Sequence, residues 1–308
     1  MKRTLLLALF LTTLTVGSQT IYTKTFGNPK DKPLIYLHGG PGYNSVAFEV
    51  TTAQKLSENG FYVIVYDRRG EGRSIDKIAN FNFQETFDDL NAIYKTFNLK
   101  KVTLMGHSFG GIIATLYTEK YSKNVESIIL VGAPISMQET FKTIISTSKE
   151  IYKTKKDSVN LRYISMLENM DRNSIQYSSY SFAHAMQNGF YSPKKPTKEA
   201  TVIYLKFKTD SLLIKYASSM TYNATKGFWK NEQYTSIDLT DNIKNVLKNN
   251  INIFGLYGKD DGLYSEKQIL KLKSLIGNTS LIYFENCSHN VFIDQQTQFI
   301  NALTKWIK

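Results

Sequence analysis

Lys101-Val-Thr-Leu-Met-Gly-His-Ser-Phe-Gly-Gly111 is the stretch of sequence that decides the fold. Its apolar half, Val102–Met105, predicts a buried β-strand, and a helical pattern starts directly after the Gly-x-Ser-x-Gly segment. In that context the segment forms a strained strand-to-helix turn that exposes the serine hydroxyl at a sheet edge. Gly106 and Gly110 are required because a Cβ at either place would collide with the strand or helix behind it. Ser108 is therefore the predicted nucleophile, and a chance turn rich in Gly and Ser is the alternative.

Short apolar runs recur along the chain and predict strands buried on both faces of a parallel sheet. They are Thr20–Phe26, Leu34–Leu37, Phe61–Tyr66, Val102–Met105, Ser127–Val131, Ile251–Tyr257 and Ser280–Phe284. Helical patterns lie at about Ala47–Glu58, Phe83–Phe97, Gly110–Tyr121, Glu266–Ile276 and Val291–Trp306. Asn82 with Glu85, and Ser265 with Gln268, have capping-box spacing at two of the helix starts. This alternation predicts an α/β fold with a doubly wound, mostly parallel sheet flanked by helices.

The alternation stops at about Pro134 and resumes at Ile251. The intervening stretch has helical periodicity, many aromatic residues and few glycines. We expect residues 134–247 to form a mostly helical cap, inserted into a core domain made of residues 19–133 and 248–308.

The first residues resemble a secretory leader. Lys2 and Arg3 precede the apolar run Thr4–Val16, and small residues follow at Gly17 and Ser18. This layout predicts a signal peptide over residues 1–18 and export to a periplasm or beyond, with a buried N-terminal helix as the alternative. The run is too short to span a bilayer, so we expect no stable membrane insertion.

The composition argues against several classes of function. The net charge is +12, but the lysines are scattered and form no basic helix face, so we expect no nucleic-acid partner. Cys287 is the single cysteine, which excludes an internal disulfide, and we expect it to be a small buried packing residue. The four histidines have no zinc-ligand spacing and no dinucleotide fingerprint occurs, so we expect neither a metal nor a cofactor.

A serine nucleophile needs an imidazole to accept its proton, and the base can be sought by elimination among four histidines. His107 lies inside the Gly-x-Ser-x-Gly turn, His38 belongs to a glycine turn, and His184 falls in the helical insertion. His289 follows the last predicted strand, in a loop at the carboxyl edge of the sheet. It is the predicted base, and an ordinary loop histidine is the alternative.

The imidazole in turn needs a carboxylate to fix its tautomer. The strand Ile251–Tyr257 runs into a loop that carries Asp260 and Asp261, and two adjacent side chains diverge, so only one of them can face the base. We favour Asp261 and assign Asp260 to the turn. Asp238 and Asp241 are more distant alternatives. The order Ser, Asp, His along the chain differs from that of other serine-hydrolase folds.

A glycine turn follows the strand Leu34–Leu37 and reads His38-Gly39-Gly40-Pro41-Gly42. Such a turn leaves backbone N–H groups available to a negatively charged oxygen. We assign the oxyanion donors as the N–H groups of Gly40 and of Phe109, which directly follows the predicted nucleophile.

Four features together resemble the α/β-hydrolase superfamily, and more narrowly its branch of prolyl iminopeptidases. They are His38-Gly-Gly-Pro-Gly42, Asp67-Arg-Arg-Gly-Glu-Gly-Arg-Ser74, Gly106-His-Ser-Phe-Gly110 and the late Asp and His loops. The resemblance implies an eight-stranded, mostly parallel sheet with an inserted α-helical cap. It also implies that the segment from Asp67 to Ser74 is a structural turn, to which we assign no catalytic role.

The resemblance further implies that cap carboxylates hold a free substrate amine. The insertion contains five glutamates, and spacing alone brings none of them together, so each is expected to be a solvated helix residue. They are Glu139, Glu150, Glu168, Glu199 and Glu232.

These residues predict a serine hydrolase that cleaves a small-molecule or short-peptide amide or ester through an acyl-enzyme. We lean towards an aminopeptidase of the prolyl-iminopeptidase type. The alternatives are a carboxylesterase or lipase-like acyl hydrolase, transfer of an acyl group to an alcohol or amine, and a catalytically silent ligand-binding protein.

Overall fold

The computed structural model describes residues 21–307 of the 308-residue chain. Within them lies one seven-stranded sheet with the order β1-β3-β2-β4-β5-β6-β7, in which β1 is antiparallel to β3 and all other pairs are parallel. The strands are Thr23–Phe26 (β1), Lys32–Leu37 (β2), Phe61–Tyr66 (β3), Val102–His107 (β4), Val125–Val131 (β5), Asn252–Gly258 (β6) and Leu281–Phe284 (β7).

Each of the seven apolar runs in the sequence corresponds to one of these strands, which confirms the α/β fold. The family resemblance implied eight strands, whereas residues 21–307 contain seven. Among the described strands, β1 and β7 are the two edges of the sheet.

Helices occupy both faces of the sheet and the long segment between β5 and β6. They are Val46–Phe48, Gln54–Ser57, Phe83–Thr96, Phe109–Lys120, Met137–Thr154, Ser158–Glu168, Ile175–Gln187, Lys198–Leu205, Ser211–Tyr216, Tyr222–Glu232, Thr240–Lys248, Glu266–Ile276, Val291–Asp294 and Gln296–Ile307, with a π-helical turn at Glu49–Ala53.

Two predicted helices differ in detail from the observed ones. The first contains the π-helical turn, where the Thr51 hydroxyl donates to the Ala47 carbonyl at 2.6 Å and competes with the regular ladder. The last predicted helix is broken at Gln295, whose side-chain amide donates to the Glu285 carbonyl at 2.8 Å. Neither side-chain bond is visible in hydrophobic periodicity.

The two capping predictions have different outcomes. Ser265 and Gln268 form the complete capping box. Asn82 caps its helix by accepting from the Glu85 N–H at 2.8 Å, but the Glu85 carboxylate accepts instead from the N–H of Asn80, also at 2.8 Å.

The sheet is buried on both faces, which explains why its strands are apolar at consecutive positions. Leu104 and Met105 of β4 point to opposite faces, into separate hydrophobic clusters, and both are fully buried. Leu37 of β2 lies level with Gly106 of β4, so these neighbouring strands end at the same edge. The carboxyl ends of the parallel strands β2 to β7 therefore form one edge, where a crevice is expected in an open α/β sheet.

The segment from residue 134 to 247 has no strand in the structure and consists of helices joined by turns. Its last helix, Thr240–Lys248, lies against the core helix Phe109–Lys120, where Asn242 and Asn245 both donate to Glu119, at 2.6 and 2.8 Å. The division into core and cap remains a proposal, and these contacts favour ending the cap near residue 239.

Residues 1–18, the predicted signal peptide, lie outside the described residues. Across residues 21–307, no helix combines the length and apolar character needed to cross a bilayer.

Candidate active site

Ser108 occupies the turn between β4 and the helix Phe109–Lys120, with φ 52° and ψ −124°. Such a backbone is strained for a residue that carries a Cβ and is typical of functional turns. A Cβ on Gly106 would lie 2.4 Å from the Gly110 carbonyl oxygen, and one on Gly110 would lie 2.1 Å from the Leu37 carbonyl oxygen. Only glycine fits at these two positions, for the reason that the sequence suggested.

Gly111 is a third required glycine, which the sequence analysis missed. A Cβ there would lie 2.3 Å from the Cβ of Ala133, in the segment that follows β5. Nothing in the sequence near Gly111 indicates this contact, because it joins residues on two different strand–helix units.

His289 and Asp261 form a buried pair at the ends of the adjacent strands β7 and β6. The imidazole Nδ1 lies 2.8 Å from Asp261 Oδ2, and both side chains are at most 5% exposed. The other carboxylate oxygen of Asp261 accepts from the Leu263 N–H at 3.1 Å. A carboxylate placed at Nδ1 holds the proton there and leaves Nε2 as the acceptor.

The alternative acids are engaged elsewhere. Asp260 accepts from the Lys194 N–H at 3.0 Å, so its side chain bonds to the insertion and not within its own turn. Asp238 accepts from the Thr240 N–H at 2.9 Å, and Asp241 pairs with Lys244 at 2.8 Å. Of the four aspartates considered, the structure brings Asp261 to His289.

The His107 side chain contacts the backbone of His289, the predicted base. Its Nε2 lies 3.1 Å from the His289 carbonyl oxygen, and the two ring centroids are 4.8 Å apart. Burial, together with the nearby His289, lowers the pKa of His107 to about 3, so its imidazole is neutral near pH 7 and donates from Nε2. His184 lies in the insertion and is buried against the Tyr152 hydroxyl, 2.9 Å from its Nδ1.

The loop before His289 is fixed by Asp294. The Ser288 N–H and hydroxyl both donate to Asp294 Oδ2 at 2.7 Å, and the Tyr204 hydroxyl donates to Oδ1 at 2.7 Å. Burial raises the pKa of Asp294 despite these donors. Tyr204 belongs to the helical insertion, so this carboxylate connects the insertion to the loop that carries His289.

Gly132 leaves space for the His289 ring. It has φ +50°, and a Cβ there would lie 3.2 Å from His289 Nδ1. The Tyr264 hydroxyl donates to the Gly132 carbonyl at 2.7 Å and holds this turn in place. Neither residue could be identified from sequence, because each acts through a contact between distant loops.

Gly40 and Phe109, the predicted oxyanion donors, line one narrow cavity together with Ser108. Gly40 has φ +120°, and a Cβ on Gly39 would lie 3.2 Å from the Ser108 Cβ, so the glycine turn packs closely on the serine. The rest of the wall is mostly apolar: Ile112, Pro134, Met137, Thr140, Phe182, Tyr234, Leu263 and Tyr264. About 20 Å³ is accessible to water, which is room for about one molecule.

Four of the five glutamates of the insertion bond to other residues of the protein. Glu232 accepts from the Phe83 N–H at 2.6 Å, and Glu199 accepts from the Thr297 hydroxyl at 2.7 Å. These two therefore bond to the core, contrary to the expectation of solvated helix residues. Glu168 pairs with Lys149 at 2.8 Å, Glu150 pairs with Lys153 at 2.8 Å, and Glu139 is exposed.

Cys287 is fully buried, as expected for a packing residue, and burial raises the pKa of its thiol. In the part of the chain that the structure describes, no three His, Cys, Asp or Glu side chains are grouped to hold a metal ion.

Comparison with known proteins agrees with this architecture. The family described as alpha/beta hydrolase fold matches residues 32–296. Proline iminopeptidases from Lacticaseibacillus rhamnosus (strain Lc 705) and Clostridioides difficile (strain 630) are 24% and 25% identical to the chain. The first covers 93% of this chain and 94% of the relative, and the second covers 94% and 95%.

Two solved structures share the fold. A proline iminopeptidase-related protein from Thermus thermophilus superposes with a TM-score of 0.66 at 17% identity and covers 94% of each chain. An esterase from Exiguobacterium antarcticum gives a TM-score of 0.59 at 20% identity and covers 93% of this chain and 94% of the esterase. The chain therefore belongs to the α/β-hydrolase fold family, as a hydrolase that resembles the proline iminopeptidases.

Proposed function

We propose that the protein is a serine hydrolase in which Ser108, His289 and Asp261 form a catalytic triad. The observation that carries the proposal is the buried 2.8 Å contact between His289 Nδ1 and Asp261 Oδ2, at the edge of the sheet where Ser108 occupies its strained turn. This is the arrangement that fixes an imidazole as a general base.

In the proposed mechanism His289 accepts the Ser108 proton through Nε2 while Ser108 Oγ attacks the substrate carbonyl. The N–H groups of Gly40 and Phe109 receive the negative oxygen of the tetrahedral intermediate. Protonated His289 then gives its proton to the leaving amine or alcohol. Water then gives a proton to His289 and attacks the acyl-enzyme in the same way, which releases the acid product and restores the Ser108 hydroxyl.

The first candidate substrate is a short peptide or amide cleaved behind its amino-terminal residue, as in the prolyl iminopeptidases. Support comes from relatives named proline iminopeptidase that match nearly the whole chain. The mostly apolar walls of the cavity beside Ser108 suit contact with a small apolar residue such as proline, once the cavity has widened.

The second candidate is a carboxylic ester. It is favoured by the partners of Glu232 and Glu199, which bond to Phe83 and Thr297 of the core rather than pointing to the cavity beside Ser108. A buried ammonium needs a partner, whereas the acyl chain of an ester needs only apolar walls. The cavity holds about one water, so either substrate requires wall side chains such as Met137 and Phe182 to move.

A substrate panel tests the proposal. Aminoacyl arylamides, with proline among them, and short acyl esters are assayed with the wild-type protein and with Ser108→Ala. We expect turnover of at least one class and its loss in the variant, and the preferred class decides between the two candidates. Turnover that survives in Ser108→Ala on every substrate would overturn the mechanism.

We also propose that the protein is exported. The support is the charged start and apolar run of residues 1–18. Sequencing the amino terminus of the protein from expressing cells should show a start near residue 19, and an intact Met1 in the mature protein would contradict export by cleavage.

A further inference from the structure

Arg68 lies directly after β3 and is 2% exposed, although the guanidinium is always charged. It donates from Nη1 to the His38 carbonyl at 2.5 Å and from Nη2 to the Gly39 carbonyl at 2.6 Å. Its Nε and Nη2 both lie 2.9 Å from the carboxylate of Glu71, which is fully buried. The buried Arg68–Glu71 ion pair is thus hydrogen-bonded to the backbone of the glycine turn.

The His38 side chain supplies a second hydrogen-bond donor to the Gly39 carbonyl. Its Nδ1 lies 2.8 Å from the Gly39 oxygen, and its Nε2 accepts from the Arg68 N–H at 3.1 Å. These partners require the tautomer with the proton on Nδ1. Burial, followed by the charge of Arg68, lowers the pKa of His38 well below its ordinary value, so the ring is neutral near pH 7.

The Gly39 carbonyl and the Gly40 N–H belong to one planar peptide unit and point in opposite directions. Fixing the carbonyl therefore fixes the direction of the N–H. Hydrogen bonds accepted by the carbonyl also polarise the peptide unit, which makes its N–H a stronger donor.

The same ion pair touches neighbouring parts of the site. The Arg68 guanidinium carbon lies 5.5 Å from the centre of the Phe109 ring, and Phe109 is the second proposed donor. Glu71 Oε2 accepts from the Gly42 N–H at 2.7 Å and so holds the far end of the glycine turn.

We propose that Arg68 is a positioning residue, which with Glu71 orients and polarises the Gly39–Gly40 peptide so that the Gly40 N–H meets the oxyanion. The inference rests on the proposed serine hydrolase function and assigns a role in the reaction to a segment that the sequence indicated only as a structural turn. Arg68 contacts no reacting atom and acts through Gly40.

The main test is the double variant Arg68→Met/Glu71→Gln, because removing Arg68 alone would leave an unpaired buried carboxylate. The amide oxygen introduced by Glu71→Gln would keep an acceptor for the Gly42 N–H. Loss of a whole oxyanion donor costs about 10²–10³ in kcat, so disturbing its orientation should lower kcat about 10- to 100-fold. We expect KM to stay within about threefold, because the effect is confined to the transition state.

Two further measurements separate positioning from simple loss of structure. Rates are normalised to sites titrated with a fluorophosphonate, so that unfolded protein does not count. Affinity for a boronic acid, which mimics the tetrahedral intermediate, should fall by about the same factor as kcat/KM, whereas affinity for the product acid should not change. Arg68→Lys should give an intermediate loss with the same signature, which provides a test if the double variant does not fold.

The matched control is Arg73→Met/Asp67→Asn, which neutralises the buried carboxylate that pairs with Arg73, while Glu49 keeps Lys24 as its cation at 3.0 Å. Arg73 belongs to the same segment and is also an ion-paired arginine, with a side chain only 8% exposed, but its hydrogen bonds go to Asp67, Glu49 and Ser45. We expect kcat per titrated site to stay within about threefold of wild type. Equal losses in both double variants, or an unchanged boronate affinity in the Arg68 variants, would overturn the inference. Activity retained by Ser108→Ala would instead overturn the proposed function.

Discussion

The edge of the sheet that carries Ser108 and the helical insertion above it are built differently. At the sheet edge, buried polar groups have defined partners: His289 has Asp261, Arg68 has Glu71, and Ser288 has Asp294. The insertion instead holds ten of the thirteen most exposed large apolar side chains within residues 21–307. They are Val159, Tyr163, Met166, Tyr180, Met186, Val202, Leu205, Ile214, Met220 and Tyr222.

From this difference we expect that residues at the sheet edge act in the reaction, whereas residues of the insertion select the substrate. A fully satisfied buried polar network fixes one geometry, because each partner would be costly to leave unpaired. Apolar helix surfaces impose no such geometry and can repack. We therefore expect substitutions at the sheet edge to change the rate of the chemical step, and substitutions in the insertion to change mainly substrate binding.

The sharpest contrast within the edge itself is between two adjacent aspartates. Asp261→Asn should lower kcat by about 10⁴-fold, because an amide at Nδ1 favours the wrong imidazole tautomer. Asp260→Asn should lower it less than about threefold, since Asp260 contacts Lys194 of the insertion, at 3.0 Å from its N–H and 3.9 Å from its Nζ. The measurement is kcat on the best substrate of the panel. Similar losses in the two variants would place the triad acid elsewhere.

Gly111 tests whether the Gly-x-Ser-x-Gly turn depends on packing against the next strand–helix unit. Gly111→Ala should lower the free energy of unfolding by about 1–3 kcal/mol, because its Cβ would overlap that of Ala133. The compensating double variant Gly111→Ala/Ala133→Gly removes the overlap and should recover most of the loss in a urea titration. If the double variant is no more stable than Gly111→Ala, the packing explanation fails.

Acid pH should lower the free energy of unfolding through a histidine buried at the sheet edge. The pKa of His107 is lowered to about 3, so between about pH 6.5 and 3 the unfolded chain binds a proton there that the folded chain does not. Unfolding free energy should therefore fall as the pH drops through this window, by up to about 1.4 kcal/mol per pH unit from this one group. His107→Gln, which keeps a donor for the His289 carbonyl, should reduce that slope by about one proton. An unchanged slope would show that His107 titrates normally.

The smallest effect is expected in the insertion. Glu232→Gln keeps an oxygen acceptor for the Phe83 N–H, so kcat and KM on an arylamide should each stay within about threefold. A KM increase of tenfold or more, seen for arylamides but not for esters, would instead mean that Glu232 holds the substrate amine. That result would favour the aminopeptidase over the esterase.

Sequence patterns predicted the features whose signal is local, but not the contacts that join distant segments. The seven apolar runs identified the strands because burial on both faces leaves a continuous pattern. The strained turn at Ser108 was predictable from its glycines, and the contact between Asp261 and His289 was predictable from chain order and strand ends. Gly111, Gly132 and Arg68 could not be found in this way.

Each of these three residues depends on a partner in another strand–helix unit. Gly111 meets Ala133, Gly132 meets His289, and Arg68 bonds to the turn after β2. The predicted course of the last helix was wrong for a related reason. The break at Gln295 depends on carbonyl partners about ten residues away, which periodicity does not encode.

The most direct test of the central claim is to map the residue that reacts with a fluorophosphonate, by peptide mass spectrometry of the native protein. The account predicts one adduct on Ser108, absent in Ser108→Ala and formed at least about 10³-fold more slowly in His289→Gln, because the serine loses its base. An adduct on another residue, or equal labelling of Ser108→Ala, would contradict it.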